Sequence, residues 1–414
     1  MESIQQQLNE NSTIKNEFKF GKIHRILFVT SIIIICAIGF IGSDIYLPSL
    51  PAIAEFYNKD AIWSQSTMTV FLITMAIFQI FSGSLSDRFG RKRVLFICMI
   101  IFMLASVGCF FSSSIYELLF FRILQAIGAC GGMSIGQAIV ADLFNAQDMA
   151  RILSITIPLV AFSPAIAPVL GGHIQTHFNW QSNFLVLAIY GGIIIFILMT
   201  PIIPNIKNKT IKNSTFDFAA FLKIIFDKRF FGYALFMMAS NATYFSFVAA
   251  CPFLLNKFGY SPATVGYAFC AASFPYMFAS FLGRKLSFSM TSNQIIFTGI
   301  SVNIIGGLAL LIMYLFNWQH LLALMIPVFI ITIGNGLLMP FSSANAISLF
   351  PNNAGLVTGT LGSLQLTAAG IGTVAMGFVE NGTLLPLGLF DFFVSLSAFL
   401  YFLIVFKLFA LKRE

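Results

Sequence analysis

The sequence of 414 residues is 58% hydrophobic and only 9% charged, with a mean hydropathy of +0.90 and a formal net charge of +8. Water-soluble domains carry about a quarter charged residues, so this composition excludes a chain whose surface mostly faces water. The positive balance does not point to nucleic acid, because Lys and Arg fall in short stretches between apolar runs and form no single stripe.

Residues 1–24 are polar and rich in Asn, Gln and Lys, and no small-residue cleavage site follows the first apolar run. They are expected to be a retained tail, not a removable signal peptide. A helix crossing a bilayer core needs about 20 mostly apolar residues. Such runs are predicted at 25–50, 64–84, 93–112, 116–142, 151–174 and 182–203, then at 230–255, 262–284, 293–316, 320–346, 353–379 and 384–408. The expected fold is an all-α integral membrane protein of twelve spans. Two pseudo-symmetric six-helix halves, 25–203 and 230–408, are joined by a linker at 204–229 and followed by a tail at 409–414. Of the 23 Lys and Arg, Lys59 and Lys257 fall on one side, Arg122 lies inside span 4, and the other 20 fall on the opposite side or at the termini. The positive-inside rule then places both termini in the cytoplasm.

Span 1 ends on Asp44-Ile45-Tyr46-Leu47-Pro48-Ser49-Leu50-Pro51. A carboxyl within an apolar run can switch charge as water access changes, which proton coupling requires. The other open reading is an interfacial Asp capping a helix break made by the two prolines. Between spans 2 and 3 lies Gly83-Ser84-Leu85-Ser86-Asp87-Arg88-Phe89-Gly90-Arg91-Lys92. Its small residues allow close helix approach and a tight turn. An orientation signal alone does not require its Asp, which could bridge to a helix N-terminus.

Arg122 is the one Lys or Arg inside an apolar run, where a charge is costly and faces a cavity or a partner. With Gln125, Ala129, Gly132, Met133 and Gly136 it forms one helix face, as a cavity wall would; snorkelling to the interface is the alternative. Asp142 and Arg151 flank the next loop and suggest a structural ion pair. In span 5, Pro164, Pro168 and Gly171 share a face, with Gly172 adjoining, which reads as a hinge or a seal. His173 and His177 make a poor metal site by themselves and read as a solvated pair.

In the linker, Ser214-Thr215-Phe216-Asp217 reads as a capping box opening a short amphipathic helix, with Asp217, Lys223, Ile224, Asp227 and Lys228 on one arc. Asn241 and Tyr244 in span 7, with Met237, Met238 and Phe247, are candidates for a lipophilic pocket, as are Tyr46 and Gln125 in the first half; ordinary helix packing is the competing account. Gly283-Arg284-Lys285 echoes Gly90-Arg91-Lys92 in the corresponding loop. Asp391 in span 12 reads as an interfacial Asp or a second titrating site. The six cysteines all lie in apolar runs and read as packing residues. No nucleotide-binding loop, H-E-x-x-H or G-x-S-x-G occurs, so neither direct ATP use nor enzyme chemistry is expected.

Residues 83–92 resemble the signature of the major facilitator superfamily, G-x-L-a-D-r-x-G-r-k. The resemblance implies that Gly83, Asp87, Arg88, Gly90 and Arg91 build a cytoplasmic latch against the start of span 11 near Asn353, holding an outward-open state. The second-half echo lacks the Asp, which implies a weaker latch there. Arg122 to Gly128 is similar to the family's R-x-x-q-G-x-G motif, with Ala126 in place of the first glycine, and implies a part for Arg122 in proton coupling or substrate organisation. Asp44 to Pro51 is similar to the bicyclomycin and chloramphenicol resistance (Bcr/CflA) branch of drug:proton antiporters. Ser163 to Gly172 resembles the antiporter motif G-x-x-x-G-P-x-x-G-G, with Ala167 at the second glycine. Together these imply a proton-coupled antiporter exporting drugs or other amphipathic small molecules across a bacterial inner membrane, with Asp44 and Arg122 as its proton-coupling pair. The implied partners are substrate, protons and the lipid bilayer, with no cofactor, metal or nucleic acid and a monomeric chain. Export of an endogenous metabolite such as a siderophore, or uptake by symport, are the alternatives.

Overall fold

A helix satisfies its own backbone polar groups, which apolar surroundings demand of any crossing segment. The computed structural model of the protein describes residues 22–144, 146–204 and 218–410, and among them no strand occurs. The helices are α1 (Lys22–Asp44), α2 (Leu50–Phe56), α3 (Ala61–Phe89), α4 (Arg91–Phe111), α5 (Ile115–Leu143), α6 (Ala146–Ala161), α7 (Ser163–His177) and α8 (Gln181–Met199). Then follow α9 (Phe218–Ile225), α10 (Lys228–Lys257), α11 (Pro262–Leu286), α12 (Ser292–Leu315), α13 (Leu321–Ser348), α14 (Ala354–Val379) and α15 (Leu385–Ala410). Among the described residues, twelve segments are long and apolar enough to cross a membrane, α1–α2 and α6–α7 each forming one of them.

Two spans are interrupted where single helices were expected. The first breaks after Asp44 and passes through a 3₁₀ turn at Leu47–Ser49 before α2. Pro48 and Pro51 fall in the opening turns of these two elements, where a proline's missing N–H has no partner to lose. The fifth divides at Phe162, with Pro164 in the first turn of α7. Between α3 and α4, Gly90 adopts φ 98°, a left-handed conformation that glycine reaches without steric cost.

One packing scheme recurs in the two sets of six. In the first set α5 packs on α1, α3 and α4, and α4 packs on α8; in the second, α13 packs on α10, α11 and α12, and α12 packs on α15. The sets meet along α7 with α11 and α3 with α14. We call the end carrying Arg88, Arg91, Lys92, Arg284 and Lys285 the basic end. At the far end α2 and the 3₁₀ turn also touch α10, closing the bundle. At the basic end, a Cβ added at Gly83, Gly355 or Gly359 would meet no atom within 4 Å.

The helix within the linker is α9. The expected capping box at 214–217 lies outside the described residues. The expected arc of charges does not continue beyond it, because α9 stops at Ile225 and Asp227 instead caps α10, accepting from the Arg229 and Phe230 amides at 2.9 Å. Ile224 is buried in the core of the second set, since an apolar side chain gains more from that core than from a charged face. All six cysteines are unpaired, four of them buried.

Candidate functional site

Helix α5 carries Arg122 into the interior of the first set, where the side chain is fully buried. Its Nε donates to the Thr67 carbonyl of α3 at 3.2 Å, and Nη1 donates to the Gly42 carbonyl of α1 at 2.9 Å and to Gln125 Oε1 at 2.5 Å. Gln125 in turn donates to Ser106 Oγ of α4 at 2.7 Å. The guanidinium lies 4.4 Å from the Tyr46 ring centroid and 4.1 Å from that of Phe71. Aromatic faces attract a cation where water cannot reach it. Nη2 has no hydrogen-bond partner among the described residues. Arg122 therefore does not snorkel to an interface.

Asp44 is the last residue of α1 and is 7% exposed. Ser43 Oγ donates to its Oδ1 at 2.5 Å. It lies within electrostatic range of Arg122 and, across the boundary between the sets, of Tyr244 in α10. No ion pair joins it to Arg122. The two expected coupling residues thus share one buried neighbourhood without touching, and the helix-end reading of Asp44 holds together with its burial.

Other expectations change. Tyr46 and Gln125 line no open space; both are fully buried in the Arg122 shell, with Tyr46 Oη sharing a 3.0 Å hydrogen bond with Thr67 Oγ1. The small-residue face of α5 is not a cavity wall. A Cβ at Gly132 would lie 2.8 Å from the Ile35 carbonyl and one at Gly136 would lie 2.6 Å from Cys36 Sγ, so this face packs on α1. Asn241 donates to Gln365 Oε1 of α14 at 3.2 Å, a contact within the second set. Gln365 and Met339, a further contact of Asn241 at 3.7 Å, carried no local signal in their own segments.

The span 5 motif sits at the far-end contact. A Cβ at Gly171 would fall 1.5 Å from the Ile45 carbonyl oxygen, and one at Gly172 would fall 2.5 Å from that of Pro262 in α11. From the other side, a Cβ at Gly266 of α11 would lie 2.4 Å from the Pro168 carbonyl. Only glycines permit these approaches. Pro168 is buried and Pro164 half-buried beside them. His173, half-exposed, shares a 2.8 Å hydrogen bond through Nε2 with the Tyr267 hydroxyl of α11, while the exposed His177 has its Nδ1 2.9 Å from the His173 carbonyl. Just beyond, a cavity of about 180 Å³ is lined by Glu55, Gln175, Asn256 and Tyr260 among several prolines.

At the basic end, Arg91 pairs with Asp87 one turn earlier and with Asp142 Oδ2 of α5 at 2.9 Å, and it donates to Ser86 Oγ at 2.6 Å. Arg88 lies over the Phe89 ring at 5.3 Å. None of the partners of Asp87 and Arg91 belongs to α14, where the latch contact near Asn353 was expected. Arg151 pairs with Asp148 at 3.3 Å and not with Asp142, which Arg91 has taken.

Contacts between sets continue along α3. Thr69 and Thr373 share a 2.6 Å hydrogen bond, and Ser363 Oγ donates to the Ala76 carbonyl at 2.7 Å.

Residues 21–373 match the model of the Major Facilitator Superfamily. The chain is 26% identical over 346 residues to multidrug resistance protein D of Escherichia coli (strain K12), covering 82% of this chain and 86% of that protein. It is also 26% identical over 352 residues to a chloramphenicol resistance protein of Pseudomonas aeruginosa, covering 84% of this chain and 83% of that one. Among solved structures, a D-xylose-proton symporter shares the fold with a TM-score of 0.71 at 14% identity, covering 91% of this chain and 97% of that chain.

Proposed function

The chain belongs to the major facilitator superfamily, and from that premise we propose that it is a proton-driven antiporter of the Bcr/CflA type, exporting drugs or other amphipathic small molecules. It is a multi-pass membrane transporter, not an enzyme, and its substrate is a small molecule. Its membrane is the bacterial cytoplasmic membrane, and the basic end with both termini faces the cytoplasm. The chain works as a monomer.

The observation that carries proton coupling is the placing of Asp44 and Arg122. A carboxyl and a guanidinium cation share a sequestered neighbourhood, yet each keeps its own partners, so the acid can exchange a proton without first breaking an ion pair. In this scheme, with the far end closed and the basic end open, substrate from the cytoplasm enters between the sets beside Asn241 and Tyr244, and Asp44 releases its proton inward. Rocking of the two sets closes the basic end and opens the far one, where substrate leaves and Asp44 is reprotonated. Asp87, Arg88 and Arg91 then exchange their present contacts for the latch against α14. The glycine-lined contact of α7 supports export as the direction, because it seals the far end while the basic end is open and so limits proton leak. The two resistance proteins among the relatives favour a drug-like substrate.

The test uses proteoliposomes with an acidic interior and an internal pH-sensitive dye. A panel of drugs and cationic dyes is added to wild type and to Asp44→Asn. Substrate-triggered alkalinisation of the interior, lost in the variant, is expected. Coupled proton flux that survives Asp44→Asn would remove Asp44 from the mechanism.

A further inference from the structure

The second set of helices contains a buried polar seam that the scheme above leaves unused. Asp391 of α15 is fully buried, and Ser246 of α10 donates to its Oδ1 at 2.8 Å. Its Oδ2 has no hydrogen-bond partner among the described residues, and neither does the hydroxyl of Ser395 one turn further along α15. Gly388 lies against Leu310 and Leu311, and Gly307 lies against Phe392. Helices α12 and α15 therefore run antiparallel in step, which puts Ser395 at the level of Asn303. That residue donates to Asn335 Oδ1 of α13 at 2.9 Å, while its own Oδ1 is unpartnered among the described residues. Asn335 in turn reaches the Ser240 carbonyl of α10 at 3.4 Å. Four helices thus contribute a carboxyl, hydroxyls and amides to the buried interior of the second set.

No cation balances this carboxyl. The titratable or charged groups on the helices packed against α15 are Lys228, Arg229, Tyr233, Tyr244, Cys251 and Lys257 of α10 and Tyr314 of α12, and α14 has none. None of them makes a hydrogen bond or an ion pair with Asp391. A lone charge inside a membrane protein is costly and marks a functional group more often than a packing one. A proton is the smallest species that removes the charge, and the unpartnered Oδ2 is the atom that would hold it.

We infer that Asp391 is a second proton-exchanging carboxyl, loading and unloading through the seam of Ser246, Ser395 and Asn303 as the second set of helices changes its water access. This rests on the proton-coupled reading only for its use in transport; the exchange itself is measurable without a substrate. The test is infrared difference spectroscopy of the full chain reconstituted in lipid, comparing acid and alkaline buffers. We expect a carboxyl C=O band that fades as the pH rises, vanishes in Asp391→Asn, shifts in Asp391→Glu and persists in Asp44→Asn. Identical spectra for wild type, Asp391→Asn and Asp391→Glu, or an assigned band that ignores pH, overturn the inference. Should the Asn variant not fold, the shift in Asp391→Glu decides by itself. A titrating band in a protein that moves no protons with any substrate supports the site and sinks the antiport reading instead.

Discussion

The Nη1 of Arg122 donates to the Gly42 carbonyl over 2.9 Å, two residues before Asp44 in the last turn of α1. An arginine on α5 thus holds the backbone that carries the acid, while its neutralising surroundings are two aromatic rings and not a carboxylate. The same guanidinium reaches Thr67 of α3, so three helices converge on one planar group.

Replacing Arg122 by Lys keeps the charge and discards that geometry, because an ammonium is a point donor without a fork. Hydrogen bonds from charged groups contribute about 1.5–3 kcal/mol each. Losing even one is expected to lower substrate-coupled proton flux by about tenfold or more, a kcal-to-rate conversion of roughly 1.4 kcal/mol per decade. Wild-type flux in Arg122→Lys would show that charge alone suffices.

Gly171→Ala forces a methyl group onto the Ile45 carbonyl. Overpacking of this kind costs about 1–3 kcal/mol, and the carbonyl that the methyl meets is backbone, which cannot swing aside as a flexible side chain can. The variant is expected to melt several degrees lower and to leak protons across the bilayer without substrate. Gly359→Ala, with open space around it, serves as the control and should match wild type in both measurements.

Tyr267→Phe deletes the hydroxyl that His173 meets across the far-end contact. One neutral hydrogen bond contributes about 1 kcal/mol, equivalent to about fivefold in a two-state population. Spin labels placed on α7 and α11 should report a matching rise in the far-end-open population. An unchanged distance distribution would mean that this bond is made equally in both states.

Glu380, in the loop between α14 and α15, supplies a pH signature. Burial pushes its carboxyl above the usual range, against smaller opposing effects from the Gly382 amide and the Lys257 charge. The folded protein then binds that proton more tightly than the unfolded chain does. The resulting stability is complete below the ordinary glutamate value and is lost as the pH rises through the raised one. Melting temperatures recorded across this window should decline in wild type and decline less in Glu380→Gln; parallel curves would contradict the assignment.

Hydropathy and loop charge made the twelve crossings legible, because apolar length is itself the physical requirement for a span. The breaks at Asp44 and Phe162 were foreshadowed by nearby prolines, yet their positions depend on what packs around them. Periodicity identifies which residues share a face and is silent about what that face meets. The glycines of α5 therefore read as a cavity wall when they are the seat of α1, and Asp142 was matched to Arg151 when Arg91 reaches it first. Ser246 and Asp391 stand 145 residues apart, and no local pattern links a serine on one helix to an acid on another. Asn241 and Gln365 are likewise 124 residues apart, with no local pattern joining them.

The contact between Gly171 and the Ile45 carbonyl has a mechanical corollary. Ile45 follows Asp44 directly, so the residue on which α7 rests is the next one along the chain from the acid. That contact lies within the first set, so when α7 parts from α11 in the proposed rocking, the peptide after Asp44 travels with α7 as one body. A wedge lodged between α7 and the turn after α1 would therefore displace the peptide that adjoins Asp44, and under the proposed scheme it would stall proton exchange without occupying the substrate's place.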